Sequence, residues 1–264
     1  MKKVMVHGMV IVMLIFGLST LSMAQGDALK AAATEPMNVA QDSLNITIAD
    51  MNKGWQNLET AQLNKTVQVL EDMTKKNPKD YPASYNAAKA HFAIADCLDI
   101  KSDKEFNQTG EGEKHIDAAL ELIKTSLAAK EDNLDTHILK FIILRRKMYH
   151  VSFPKLMMYI GDRRAAFDRA KTLAPDNIEV QLLGAYEIMD GWPVPAPENV
   201  VAEFEKLLKK DPKMSEAYYQ IGATWEKAKK NDDAKKNYEK AIELDSNNHW
   251  AKKKLKGLAS SPGV

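Results

Sequence analysis

One stretch of 34 residues, 215–248, constrains the fold of this chain more than any other. It carries aromatic, aliphatic and small residues at helical spacing in each half: Tyr218, Ile221, Gly222, Trp225, Ala234, Tyr238 and Ala241. Apolar positions that recur in this way define the buried face of a helix. A glycine within that face predicts a close approach of two helices at Gly222. The stretch therefore predicts a pair of helices packed against each other.

In length and spacing the stretch resembles one tetratricopeptide repeat without a gap. Two positions differ from the family pattern, because Lys229 stands at the usual turn glycine and Ser246 at the terminating proline. The resemblance implies a binding scaffold made of stacked helix pairs, with partners that differ from protein to protein and no chemistry of its own.

The same pattern can be followed upstream through apolar helical periodicity and through the prolines that end successive units, Pro78, Pro175 and Pro212. We count four units and a more degenerate first one. The predicted fold class is all-α, an α-solenoid that forms a right-handed superhelix of about four to five tetratricopeptide-like helix pairs. A carboxyl-terminal capping helix is predicted from His249 to Leu258.

Three departures interrupt the regular pattern. Residues 100–113 are polar and contain two glycines, which predicts an insertion between two helices. Residues 134–149 form the most apolar helix, which predicts a place in the middle of the stack. A proline-rich turn, residues 191–197, carries Trp192 between two later helices.

The amino end has the pattern of a secretory signal peptide. Two lysines precede an apolar run centred on residues 10–18, and Ser22 and Ala24 supply the small residues at a cleavage site after Ala24. The alternative is a retained anchor, but His7 and Gly8 interrupt a run shorter than the ~20 residues of a span. We expect a periplasmic or secreted protein without a stable membrane span after cleavage.

The remaining domain organisation follows from composition. Residues 25–41 are interpreted as a linker, residues 42–260 as the helical-repeat domain and residues 261–264 as a tail. Loss of residues 1–24 reduces the 37 basic residues to 35, against 36 acidic ones. A nearly neutral chain argues against nucleic acid as a partner. The single cysteine, Cys97, lies on an alanine-rich stretch, which favours a buried position.

No catalytic or metal-binding pattern stands out in the sequence. The histidines lack the helical spacing of a metal site, and no glycine-rich phosphate loop follows a strand. We therefore predict no enzymatic activity, no cofactor and no metal.

All five arginines fall between Arg145 and Arg169. Arginine suits the planar recognition of carboxylate or phosphate, so the cluster could be a recognition patch. The alternative is that Arg163, Arg164 and Arg169 form ion pairs with nearby aspartates along and between helices. The sequence leaves both interpretations open.

The resemblance also implies a concave groove lined by the first helix of each pair. By matching register this groove presents a mixed aromatic and aliphatic surface, including Leu139, Ile143 and Ala185, that suits an apolar peptide or helix. The alternative for Leu139 and Ile143 is burial by a neighbouring helix. Trp192 either binds a partner or folds back as a lid on the core. Our candidate partner-binding residues are Tyr85, Lys89, Arg145, Arg146, Gln181, Trp192, Tyr219 and Glu226.

The predicted function is that of an exported scaffold that binds a protein or peptide in this groove. The alternative is a small-solute-binding accessory of a transport system. An open groove favours the first function, and a closed cavity lined by Arg145 or Arg146 with aromatic walls favours the second.

Overall fold

A computed structural model describes residues 35–102 and 110–260, and within these ranges the chain forms eleven α-helices and no β-strand. The helices are α1 (Glu35–Gln56), α2 (Thr60–Lys76), α3 (Tyr81–Lys101), α4 (Glu111–Ala129), α5 (Leu134–His150), α6 (Phe153–Leu173), α7 (Ile178–Met189), α8 (Pro197–Lys210), α9 (Ser215–Lys227), α10 (Asn231–Leu244) and α11 (His249–Ser260). The predicted all-α fold of helix pairs with a final capping helix is confirmed. The predicted signal peptide and tail lie outside the described residues.

The chain divides into two compact units, with the boundary between Arg163 and Arg164 inside α6. In the amino-terminal unit the five helices α1 to α5 pack in succession, each against the one before it, and α3 also contacts α1 and α5. The central helix α3 is rich in alanine, and Ala87, Ala90 and Ala93 are fully buried. Small side chains let neighbouring helices approach closely, so α3 can be covered on several sides.

Cys97 belongs to the same core and is fully buried, as predicted. Burial raises the pKa of the Cys97 thiol to about 12. The thiol therefore stays protonated at neutral pH and acts as a small apolar side chain.

The connection between α3 and α4 is shorter than the insertion predicted at 100–113. Helix α3 continues to Lys101 and α4 begins at Glu111, while residues 103–109 lie outside the described ranges. Gly112 is buried inside α4, where a Cβ atom would lie 3.6 Å from Cε1 of His150 and 3.9 Å from Oδ1 of Asp99. This glycine therefore belongs to a packed helix and does not mark a loop. Similarly, α1 begins at Glu35, within the segment interpreted as a linker.

In the carboxyl-terminal unit, α7 packs on α8, α8 on α9, and α9 on α10, which α11 then covers. The repeat predicted for residues 215–248 consists of α9 and α10. The fully buried ring of Tyr238 packs against α9 at Gly222. Lys229 has a φ of 60°, which is the left-handed conformation for which the family uses glycine.

The two ends of this repeat are bonded to each other. The amide Nδ2 of Asn248 donates to Oγ of Ser215 over 2.9 Å, and that hydroxyl donates to the carbonyl oxygen of Ala241 over 2.8 Å. All three residues are buried. Across the described residues, no helix combines the length and the apolar character needed to cross a bilayer.

Candidate functional site

A cavity of about 720 Å³ lies in the carboxyl-terminal unit between the end of α6, α7 and α8. Volumes of this size are typical of ligand pockets, which range over about 300 to 1,000 Å³. Its apolar lining consists of Phe167, Pro175, Val180, Gly184, Ala185, Ile188 and Leu207. Its polar lining consists of Lys171, Gln181, Glu187, Glu203, Lys206, Lys209 and Lys210.

Gly184 keeps the floor of this cavity open. A Cβ atom at Gly184 would lie 3.5 Å from Cζ of Phe167, so any larger side chain would extend into the space that the ring borders. Ile188, one helical turn further along α7, is 41% exposed and remains accessible at the edge. The cavity is therefore an apolar trough that opens to solvent.

The opposite face of α7 holds the helix in place. The Tyr186 ring packs edge to face on Phe204 of α8 with centroids 6.0 Å apart, and both residues are buried. The hydroxyl of Tyr186 donates to Oε1 of Glu216 over 2.6 Å. These contacts hold α7 against α8 and against the start of α9, so the trough has a rigid wall.

Charged residues are unevenly placed around the trough. Nζ of Lys210, at the end of α8, donates to Oε1 of Gln181, in the first turn of α7, over 2.7 Å. Lys171 lies near the end of α6 with its Nζ 5.9 Å from the centroid of the Phe167 ring. Glu203 lies two turns before Lys210 and accepts from Nζ of Lys206 over 2.7 Å. Lysines therefore gather at the Gln181 end.

The turn that carries Trp192 begins directly after α7. The backbone N–H of Gly191 donates to the carbonyl of Ile188 over 3.1 Å. Trp192 is 91% exposed and Val194 is 77% exposed, so the turn is open to solvent and does not fold back over the core. Of the two roles considered for Trp192, the lid is wrong.

The other predicted groove residues of this unit have structural partners. The Tyr219 ring lies 5.9 Å from that of Tyr238. Glu226 accepts from the hydroxyl of Tyr238, and Nζ of Lys254 lies 3.6 Å from its Oε1. Tyr219 and Glu226 thus help to hold α9 against α10 and α11.

In the amino-terminal unit, Arg146 forms an ion pair with two buried aspartates of α3. Its guanidinium donates to Oδ1 of Asp96 and to Oδ2 of Asp99, each over 2.9 Å, and its side chain is 16% exposed. Nε2 of His150 lies 3.1 Å from the same Asp99 oxygen. The sequence does not predict this network. The recognition hypothesis leaves the arginines to a partner, and the pairing hypothesis concerns Arg163, Arg164 and Arg169. Arg145, its neighbour, donates to the hydroxyl of Tyr149 over 3.2 Å.

Lys89 does not face an open groove. It is only 3% exposed, and burial lowers the pKa of its ammonium well below the usual value, although Asp135 opposes the shift. Tyr85 is half-buried on the same helix. Leu139 and Ile143 are fully buried, so of the two positions considered for them, the groove or the core, the core is correct. The helices packed around α3 and α5 cover the faces that the repeat register assigns to solvent.

A histidine pair joins three helices of the amino-terminal unit. Nδ1 of His91 lies 2.8 Å from Nδ1 of His115, and Nε2 of His91 lies 3.0 Å from Oε1 of Glu71. Burial and the neighbouring His91 lower the pKa of His115. Within residues 35–102 and 110–260, no group of three His, Cys, Asp or Glu side chains is placed to hold a metal ion.

Gln181 and Ala185 are the sequence-predicted groove residues that line the cavity, and Trp192 is not part of its lining. Sequence reasoning missed Phe167, Lys171 and the lysines of α8. The sequence signal for this site is Gly184, because a small residue on one helix opposite a large one such as Phe167 on the next indicates close packing.

Comparison with known proteins agrees with the architecture. The family model for the tetratricopeptide repeat matches residues 215–248. The crystal structure of TTC0263, a thermophilic TPR protein of Thermus thermophilus, has a TM-score of 0.57 and 14% sequence identity, and the match covers 81% of this chain and 98% of that one. At that identity the likeness shows the fold alone. No curated protein matches the chain.

Two further crystal structures are similar at lower scores. YrrB, a TPR protein with an unusual peptide-binding site, has a TM-score of 0.40 and 15% identity, with 85% of this chain and 98% of that chain covered. MamA has a TM-score of 0.41 and 15% identity, with 85% and 99% covered. Both scores are too low to bear on function or fold.

The helix pairs and the repeat together define an all-α helical-repeat protein. Specifically, residues 215–248 match the tetratricopeptide repeat, and the fold of the chain is similar to that of a TPR protein.

Proposed function

We propose that this protein is an exported, non-catalytic scaffold that binds a peptide segment of a partner protein in the trough between α6, α7 and α8. The tetratricopeptide fold is that of a protein-interaction scaffold. The observation that carries the proposal is the trough itself, whose apolar lining includes the exposed Ile188 at its edge. The trough includes Ala185, which the repeat register assigned to the binding groove, and Gln181.

A peptide suits this site better than a small solute. The trough opens to solvent along Ile188, and exposed lysines are among the charged residues of its lining. Neither Arg145 nor Arg146 lines it, and Phe167 is its single aromatic lining residue. An enclosed, aromatic-walled pocket would be expected for a small solute.

Selection of peptides from a random twelve-residue library displayed on phage tests this proposal. We expect selected peptides to bind the purified protein in solution, and Ile188→Glu to weaken their binding at least about tenfold, because a charge in the trough must be desolvated. The matched control is Val69→Glu on α2, since Val69 is 43% exposed and Ile188 is 41% exposed. Failure to select any peptide, or equal loss in both variants, would reject the trough as the binding site.

Export has its own test. The proposal rests on the amino-terminal pattern that ends at Ala24. Mass spectrometry of the protein isolated from its native cells should find a chain that begins at Gln25. A chain that retains residues 1–24 would contradict processing by a signal peptidase.

A further inference from the structure

We infer that the segment bound in the trough is polarised, with side-chain carboxylates at the Gln181 end and apolar side chains along the floor toward Ile188. This inference rests on the proposed peptide binding at the same site, and it specifies the chemistry of the partner.

The first observation is the placement of the lysines. Lys171, Lys209 and Lys210 are exposed and lie where α6 ends, α7 begins and α8 ends. The hydrogen bond from Lys210 goes to the neutral amide of Gln181, so it does not cancel the charge. Asp176 and Asp211 are in the adjoining turns but do not line the trough.

The second observation is the placement of the acids. Glu187 and Glu203 are the carboxylates of the lining, and both lie toward the other end of the trough. Glu187 is six residues beyond Gln181 on α7, a distance of about 9 Å along the helix. Glu203 is seven residues before Lys210 on α8 and pairs with Lys206. A partner carboxylate is therefore attracted at one end and repelled at the other.

The third observation is the apolar length between these ends. Gln181 and Ile188 are seven residues apart, about 10 Å along α7, with Gly184 and Ala185 between them. An extended peptide advances about 3.3 Å per residue, so about three residues cover this distance. The partner segment should therefore place its acidic residues about three positions from its apolar anchor. Three lysines on two helices favour a pair of acidic side chains over a single chain terminus.

Synthetic peptides with one shared core test the predicted preference for carboxylates at the Gln181 end, which we call the charge rule. All carry a Leu-Ala-Phe core with an acetylated and an amidated end, and they differ only in a flanking Asp-Asp, Ser-Ser or Lys-Lys pair, placed before or after the core. We expect the Asp-Asp form in the better orientation to bind about 3- to 10-fold more tightly than Ser-Ser, and Lys-Lys to bind most weakly. The difference in affinity between the Asp-Asp and Lys-Lys peptides should become smaller in 0.5 M salt because exposed charges are screened. A Ser-Ser peptide with a free terminal carboxylate shows whether a chain terminus binds as tightly as the acidic side chains do.

Variants of the protein locate the effect. Lys171→Glu with Lys209→Glu should reverse the order of the Asp-Asp and Lys-Lys peptides. The matched control, Lys235→Glu with Lys236→Glu on α10, makes the same change in net charge at exposed positions and should leave the order unchanged.

The two proposals fail in different ways. Equal binding of all three flanks, while Ile188→Glu still weakens binding, overturns the charge rule and leaves peptide binding intact. Tighter binding of Lys-Lys, or of the free terminal carboxylate than of Asp-Asp, also overturns the rule. Absence of binding by every peptide, or binding that Ile188→Glu does not weaken, rejects the site itself.

Discussion

The ring of Tyr238 lies directly against the backbone of Gly222, where a Cβ atom would be 2.7 Å from both Cδ1 and Cε1 of the ring. Contacts this short are not tolerated in a packed interior, so a side chain here must displace the ring or the helix. We expect Gly222→Leu to destabilise the protein by at least about 1 to 3 kcal/mol, measured by urea unfolding.

Gly161→Ala is the control for the Gly222 prediction. Gly161 is exposed within α6, and a Cβ atom there meets nothing within 4 Å. Alanine is the better helix former, so this variant should gain up to about 1 kcal/mol. Equal unfolding free energies for Gly222→Leu and the wild type would contradict the register assigned to α9 and α10.

Arg146 should matter for stability through its two ion pairs. Asp99 is fully buried and Asp96 nearly so, and removal of the guanidinium leaves both carboxylates without this partner. Loss of one member of a buried ion pair costs about 3 to 5 kcal/mol. We expect Arg146→Ala to lower the free energy of unfolding by about this amount. Arg145→Ala, at the neighbouring position where the guanidinium donates to the hydroxyl of Tyr149, should change it by less than about 1 kcal/mol, and comparable losses would contradict the network.

Lys229 offers a stabilising substitution. Its φ of 60° costs a residue with a Cβ atom about 1 to 2 kcal/mol, which glycine avoids at the cost of greater freedom in the unfolded chain. We expect Lys229→Gly to raise the unfolding free energy by about 0.5 to 1 kcal/mol. Lys229→Ala retains the strained conformation and should show no such gain. Thermal unfolding of both variants distinguishes a backbone effect from loss of the lysine charge.

The histidine pair predicts a pH dependence of stability. Burial, followed by the nearby His91, holds the pKa of His115 below its usual 6.5, while Glu111 and Glu71 act in the opposite direction. The unfolded chain therefore binds a proton more readily than the folded one as the pH falls through 6.5. The folded state loses stability over this interval, and the loss ends below the folded pKa.

Urea unfolding between about pH 7.5 and pH 5 measures this effect. Gln keeps a polar side chain at position 115 but does not titrate, so His115→Gln should flatten the dependence. An unchanged slope in the variant would assign the pH dependence to other groups.

The repeat architecture could be predicted from sequence because each helix of the regular repeat has apolar residues at helical spacing. The bounds of α9 and α10 follow from the spacing of residues such as Tyr218 and Tyr238, which are local signals. The predicted insertion at 100–113 was too long, since two polar flanks of that segment are helical. The sequence places Gly112 in a loop, whereas it is a buried residue of α4 that lies close to His150 and Asp99.

The site was less predictable because it depends on contacts between distant positions. Arg146 lies 47 residues from Asp99 and 50 from Asp96, and no local pattern links them. Likewise, register assigned Gln181 to the groove but could not show that Lys210, 29 residues further on, would lie beside it. The burial of Lys89 depends on neighbouring helices that the family register does not specify.

The bond between Ser215 and Asn248 means that residues 215–248 are closed on themselves. The contact between its first and last side chains joins the ends of the segment, and Oδ1 of Asn248 also accepts from the backbone N–H of Ala251 in α11. A second copy inserted ahead of His249 would bring its own closure and would need only a matching helical face on each side. We therefore expect the chain to tolerate lengthening in steps of 34 residues, with the trough of α6 to α8 unaltered.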